Sequence, residues 1–167
     1  FVERLFARGY SYGEAGYPQT QPTSLFRIAS VSKPVSGLMT HLLVQRGGTI
    51  TMNTLAGSYL GLVSTDVRYN SIRVWHLIQH LSGLSSDNVS STVAEWLNPS
   101  NPVLPVSNWQ TALWTRALNP FHDSPNTSPL YSNLAYYMLG AVIERASNKT
   151  YERFLREDLA APLGITR

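Results

Sequence analysis

The chain has 167 residues, 43% of them hydrophobic and 14% charged, which gives one domain enough apolar material for a packed core and excludes wholesale disorder. Its net charge of +3 comes from scattered Arg and Lys without a run of either, so the sequence offers no stripe for nucleic acid and no polybasic patch for a membrane surface. With no cysteine it has no disulfide, no thiolate catalyst and no cysteine metal site, and no apolar stretch approaches the ~18 residues of a membrane-spanning helix.

The opening "FVERLFARGY" reads as a strand rather than a leader. A strand is predicted over residues 3–12, followed by the turn-rich "GEAGYPQTQP". A helix is predicted from Ser32 to Arg46, with Val35, Leu38, Met39, Leu42 and Leu43 on one face. Pro34 is harmless in its first turn, and Gly47 and Gly48 end it. A second helix is predicted from Ser71 to His80, capped by Ser71, with Val74, Leu77, Ile78 and Leu81 as its stripe. Residues 85–107 are polar and proline-rich around a short "TVAEWL" turn and read as a surface excursion. A third helix runs from Ser107 to Leu118, and "NPFHDSPNTSP" leads out of it as a loop. The fourth spans Ser132 to Ser147 with Leu134, Met138, Ala141 and Val142 inward, and a fifth runs from Thr150 to Leu159. No internal repeat or low-complexity tract is visible. One strand cannot stand without partners, and none is evident in the chain. The triplets at Asn88, Asn126 and Asn148 fit the glycosylation pattern, which matters only in a secreted eukaryotic protein.

Three stretches carry chemistry. In "FRIASVSKPVSGL" Ser30 precedes Lys33 by three residues, a spacing that shares one helix face. The plain reading is a capped helix start with a surface lysine. Two details weigh against it: a lysine in a first turn opposes the helix dipole, and "FRIAS" suggests a buried approach. Chemically, a serine hydroxyl is a poor nucleophile until a neighbour accepts its proton. Burial favours the neutral amine of a lysine, the form able to take that proton. The Ser30 N–H would then face a developing oxyanion. The second stretch is "YSN". Tyr131 is either core packing or a phenol that carries a proton, and Asn133 either starts a helix or contacts a substrate amide and Lys33. The third is "LIQHLSGL". His76 and His80 are spaced i, i+4, as a metal can require, but no Glu stands between them in a zincin pattern and no third ligand is evident, so His80 reads as structural. His41 and His122 are single histidines without a partner motif.

Together "LFRIASVSKPVSGL", "VWHLIQHLSGL", "YSNLAYYMLGAVIE" and "PLGIT" resemble the serine β-lactamase-like family of class C β-lactamases, DD-peptidases, D-aminopeptidases and related esterases. They occur in family order and span nearly the whole chain. The resemblance implies a β-lactamase/transpeptidase-like fold of the α+β type, here mainly the helical subdomain with a small part of the antiparallel sheet. It implies a serine hydrolase of the S-x-x-K type, with Ser30 as acyl-forming nucleophile, Lys33 as its base partner, Tyr131 as second proton carrier and Asn133 as a substrate and lysine contact. The substrate would be an ester, a D-amino-acid peptide or a β-lactam, with no cofactor and no metal, and the resemblance favours a periplasmic or secreted location. "YSN" points to the class C and esterase side. The family's third motif, a Lys-Thr-Gly or His-x-Gly triplet that supplies the second oxyanion donor, has no counterpart here, and "SPNTSP" replaces a usual Pro-Gly turn. The chain is therefore expected to be a single partial domain, with residues 1–30 as sheet portion and loop and 31–167 as nucleophile helix and helical subdomain, needing the rest of its own domain. The alternative is a catalytically incomplete or non-catalytic member that binds a peptide or cell-wall ligand.

Overall fold

A computed structural model describes residues 19–62, 67–84 and 123–165. The predicted strand over 3–12, the excursion over 85–107 and the third helix lie outside these residues. The chain divides into two compact units, residues 1–32 and 33–167. Among the described residues of the first unit, a single 3₁₀ turn, Ala29–Val31, closes with the Val31 N–H on the Ile28 carbonyl at 3.0 Å. Ala29 enters it with φ 45°, a left-handed conformation unusual for a residue with a Cβ. The expectation of a buried approach is corrected here. Leu25, Phe26, Ile28 and Val31 are all more than half exposed.

In the second unit the described residues are helical. Helix α1 covers Ser32–Gln45 and stops as its sequence requires. Gly47 adopts φ 69°, its N–H reaches the Val44 carbonyl, and the Gly48 N–H reaches the Leu43 carbonyl. These paired contacts satisfy the last carbonyls of the helix. The inward face differs from the predicted one. Ser36, Met39, Thr40 and Leu43 are buried, whereas Leu38 points outward at 52% exposure. The buried hydroxyls tolerate this because they are bonded: Ser36 Oγ lies 2.7 Å from Tyr151 Oη, and Thr40 donates to the Ser36 carbonyl.

Two short helices were not foreseen, α2 (Ala56–Leu60) and α3 (Val67–Asn70). Each is too short for a 3.6-residue period to register. The second predicted helix forms later than expected, as α4 (Val74–Ile78). Ser71 does not cap it; its hydroxyl donates to the Arg68 carbonyl. Instead Arg73 precedes the helix, and its N–H donates to His76 Nδ1 at 3.0 Å. An isolated antiparallel bridge joins Leu55 to Arg73 and fixes where α2 and α4 begin.

Helix α5 (Asn133–Ser147) is the central element, and α2, α4 and α6 (Tyr151–Phe154) pack against it. Ser132 caps it by accepting the Ala135 N–H at 3.1 Å. Its predicted inward residues Leu134, Met138, Ala141 and Val142 are all buried, and Leu134, Met138 and Val142 join Val74, Leu77, Ile72, Met39 and Phe154 in one core. A Leu, Met, Val, Ile or Phe side chain contributes about 1.5–3 kcal/mol when fully enclosed. Thr150, the predicted start of the fifth helix, caps α6 by accepting the Arg153 N–H, and the helix continues as a wider π-type turn over Leu155–Ala160 and a 3₁₀ turn over Ala161–Leu163.

Candidate active site

Within the second unit the structure brings three of the four singled-out residues together. Lys33 stands in the first turn of α1, and Tyr131 and Asn133 flank the cap of α5. Lys33 Nζ donates to Tyr131 Oη at 2.6 Å and to Asn133 Oδ1 at 2.8 Å. Bonds this short are those of a charged donor or a shared proton. The amine also lies 4.6 Å from the centroid of the Tyr131 ring and 5.5 Å from that of Tyr136. Tyr131 is 51% exposed, so the phenol that meets the lysine is open to an incoming molecule. This excludes the reading of Tyr131 as core packing. Ser30, the fourth, belongs to the first unit, where it occupies the middle of the 3₁₀ turn and is exposed.

Tyr131 is delivered by a bracket that the sequence marks as "HLSGL". The backbone of residues 80–83 runs beside that of residues 123–132. The Leu130 N–H donates to the His80 carbonyl at 2.8 Å, the Asn126 N–H to that of Leu81 at 2.8 Å, and the Asp123 N–H to that of Gly83 at 3.5 Å. Gly83 has φ +73°, and a Cβ placed there would stand 2.2 Å from the Asp123 carbonyl oxygen. Only glycine lets the two segments approach this closely. His80 Nδ1 accepts the Ser132 N–H at 3.0 Å. Its ring packs 4.6 Å from that of Tyr131 and 5.1 Å from that of Tyr136, centroid to centroid.

The electrostatics of this corner are set mainly by burial. Burial first, and the Lys33 charge second, hold His80 below the ordinary imidazole value, and burial followed by Arg73 does the same to His76. Burial first and Tyr131 second push Tyr136 above the ordinary phenol value, and its hydroxyl donates to the Ile78 carbonyl at 2.9 Å. His76 and His80 each use Nδ1 as an acceptor for a backbone N–H. Among the described residues no three His, Cys, Asp or Glu side chains gather as metal ligands would.

Sequence reasoning passed over Tyr136, Ser132 as a buried cap, and Gly83. Ser132 and Gly83 carried a legible signal, a serine ahead of an apolar period and a Ser-Gly pair of the kind that marks turns. Tyr136 carried none, since an aromatic on an inward helix face is ordinary core.

Comparison with known proteins adds the following. Residues 3–167 match the family model described as Beta-lactamase. Penicillin-binding protein 4* of Bacillus subtilis (strain 168) is 28% identical over 159 residues, which are 93% of this chain and 33% of that protein. Esterase EstB of Burkholderia gladioli is 31% identical over 165 residues, 95% of this chain and 41% of that protein. Among solved structures, the beta-lactamase/D-alanine carboxypeptidase from Yersinia pestis, complexed with citrate, superposes with a TM-score of 0.64 at 28% identity, covering 92% of this chain and 43% of that one. The chain thus spans about a third of the first relative and less than half of the other two. The fold is the β-lactamase/transpeptidase fold, as the sequence led one to expect, and the described residues supply a helical portion of it.

Proposed function

The chain belongs to the beta-lactamase family, and from that premise we propose that it forms part of a serine hydrolase working through an acyl-serine. Ser30 Oγ attacks the carbonyl carbon of the substrate and gives its proton to Lys33. The carbonyl π electrons move onto oxygen, where the Ser30 N–H is the donor available from this chain. Collapse of the tetrahedral intermediate breaks the bond to the leaving oxygen or nitrogen. That atom takes up a proton through Tyr131, which recovers one from Lys33. Water then cleaves the acyl-serine by the same steps in reverse. Asn133 holds the lysine and offers its amide nitrogen to a substrate carbonyl.

The observation that carries this reading is the 2.6 Å contact between Lys33 Nζ and Tyr131 Oη, joined by Asn133 at 2.8 Å. A proton path between two groups 98 residues apart in sequence needs such a contact. A capped helix start with a surface lysine does not. The names of the relatives, penicillin-binding protein, esterase and D-alanine carboxypeptidase, support an ester, a D-amino-acid peptide or a β-lactam as substrate class. The domain boundary belongs to the same proposal: residues 1–167 are one piece of a larger catalytic domain.

Intact-mass and peptide mass spectrometry of the whole protein, after exposure to a fluorophosphonate and to a penicillin, tests it. A single adduct on Ser30 that disappears in Ser30→Ala is expected. Binding of a penicillin without any adduct indicates a non-catalytic binder and overturns the hydrolase reading.

A further inference from the structure

We propose that His80 is a positioning residue for the proton carrier: through its neutral imidazole and its own carbonyl it fixes the backbone on both sides of Tyr131 and so sets the phenol against Lys33. The inference rests on the reading of Tyr131 as that carrier.

Tyr131 lies between Leu130 and Ser132, and His80 binds both. Its carbonyl accepts the Leu130 N–H at 2.8 Å, and its Nδ1 accepts the Ser132 N–H at 3.0 Å. A residue in a strand or helix cannot turn carbonyl and side chain toward the same segment in this way. His80 does so by adopting φ 57°, a left-handed conformation that a residue with a Cβ takes up only when its surroundings hold it there. Its ring then lies against Tyr131 with a 30° tilt, on the side of a phenol whose hydroxyl meets the amine at 2.6 Å.

The Ser132 contact also fixes the tautomer. Ser132 N–H is a donor, so Nδ1 carries a lone pair and the proton resides on Nε2. Ser132 is fully buried and its hydroxyl accepts the Ala135 N–H, so the imidazole meets the Ser132 N–H away from solvent, where an unmet donor is costly. Among the described residues, the titratable groups facing the ring are Lys33 from α1, Tyr131 from the segment before α5, and Tyr136 from α5 itself. Tyr136 donates to the Ile78 carbonyl, which keeps its ring a fixed wall on the far side.

A packing role predicts that loss of His80 lowers stability and leaves the phenol where it is. A positioning role predicts that the phenol moves. The test uses the whole protein with ¹³Cζ-labelled tyrosine, the Tyr131 resonance being assigned by its disappearance in Tyr131→Phe. His80→Gly and His80→Asn both accept φ 57°, but only Asn offers an oxygen at the δ position. His80→Gln, which retains bulk and moves the acceptor one bond outward, serves as the second loss variant should His80→Gly not fold. The Tyr131 resonance is expected to shift toward that of exposed tyrosines in the Gly and Gln variants and to stay near its wild-type place in Asn. Turnover of p-nitrophenyl acetate should fall about 10²-fold in kcat in the loss variants with KM little changed, the scale of a displacement near 1 Å, and recover in Asn. An unmoved Tyr131 resonance in a folded loss variant overturns the proposal, as does an Asn variant that behaves like Gly. A shifted resonance in a protein whose wild type gives no Ser30 adduct sustains the positioning role and rejects the hydrolase reading. A Ser30 adduct in wild type with no shift in the variants does the reverse.

Discussion

Two lysines in this molecule are both held by short bonds, and their surroundings differ in kind. Lys149 contacts the carboxylates of Glu157 and Asp158, and Arg46 reaches the same Asp158 at 2.6 Å. Its bond to Asp158 first, and that to Glu157 second, hold it above the ordinary ammonium value. Lys33 contacts a phenol oxygen and an amide oxygen. A carboxylate partner fixes the ammonium as a cation, because releasing its proton would strand a negative charge. A phenol can exchange that proton with the amine, because either partner can carry it. Asp158 joins Lys149 to Arg46, just past the end of α1, in a surface charge network, whereas the partners of Lys33 carry no fixed charge.

Removing each lysine is the strongest way to break this contrast. Lys33→Ala is expected to lower Ser30 acylation on the order of 10³-fold or more, since groups that act as a unit fail together. Ser30→Ala should abolish it outright. Both should melt close to wild type, because neither residue is buried. Lys149→Ala should leave acylation alone and lower the melting temperature slightly, by an amount that shrinks in salt. Equal loss of activity in Lys33→Ala and Lys149→Ala, measured by fluorophosphonate labelling rates, would dissolve the distinction.

Gly83→Ala comes next. The added methyl meets the Asp123 carbonyl at 2.2 Å in a left-handed conformation. A loss of about 3 kcal/mol in denaturant unfolding is expected, combining backbone strain and overpacking. Gly47→Ala has the left-handed strain without the clash and should cost less. Equal costs would mean that close approach is not what the bracket requires.

The smallest effect is in pH, and it separates the two regions. His80 and His76 are held below the ordinary imidazole value of 6.5, so the unfolded chain binds more protons below that value. Stability is therefore whole above pH 6.5 and declines as pH falls from there toward the depressed folded values. Glu157 and Asp158 are held below their ordinary 4.5 and 3.8, so the charge network keeps its contribution until pH falls below those values. Denaturant midpoints at successive pH values should show a first decline in mild acid, weakened in His80→Asn, and a second in stronger acid, reduced in Lys149→Ala, where Arg46 and Arg153 still hold the carboxylates. A single decline confined to strong acid would show that the two histidines do not couple to folding.

The site was legible where side-chain type and helix periodicity coincide. The α5 stripe announced its inner face, and Lys33 in a first turn was out of place unless it had partners. The fold was less legible where the backbone decides. Leu38 was read inward because apolar residues were counted, yet α1 buries Ser36 and Thr40, whose hydroxyls find partners that no linear pattern reveals. Ser71 was read as a cap, but a backbone bridge at Arg73 delays the helix and His76 accepts the first free N–H. The bracket from His80 to Gly83 was read only as a histidine of structural type. Its main-chain bonds to Asp123, Asn126 and Leu130 belong to a pairing between residues far apart in sequence, beyond any local signal.

The contact between Gly83 and Asp123 also bears on chain length. Gly83 and Asp123 are 40 positions apart in sequence, yet the Asp123 N–H reaches the Gly83 carbonyl at 3.5 Å. A segment whose ends are already tied together is a closed loop in the polymer sense. Its closure entropy grows only with the logarithm of its length, about 0.6 kcal/mol for each doubling. The number of residues between those ends therefore changes the closure entropy little, and the main-chain bonds from residues 80–83 are what keep Leu130 and the start of α5 in register.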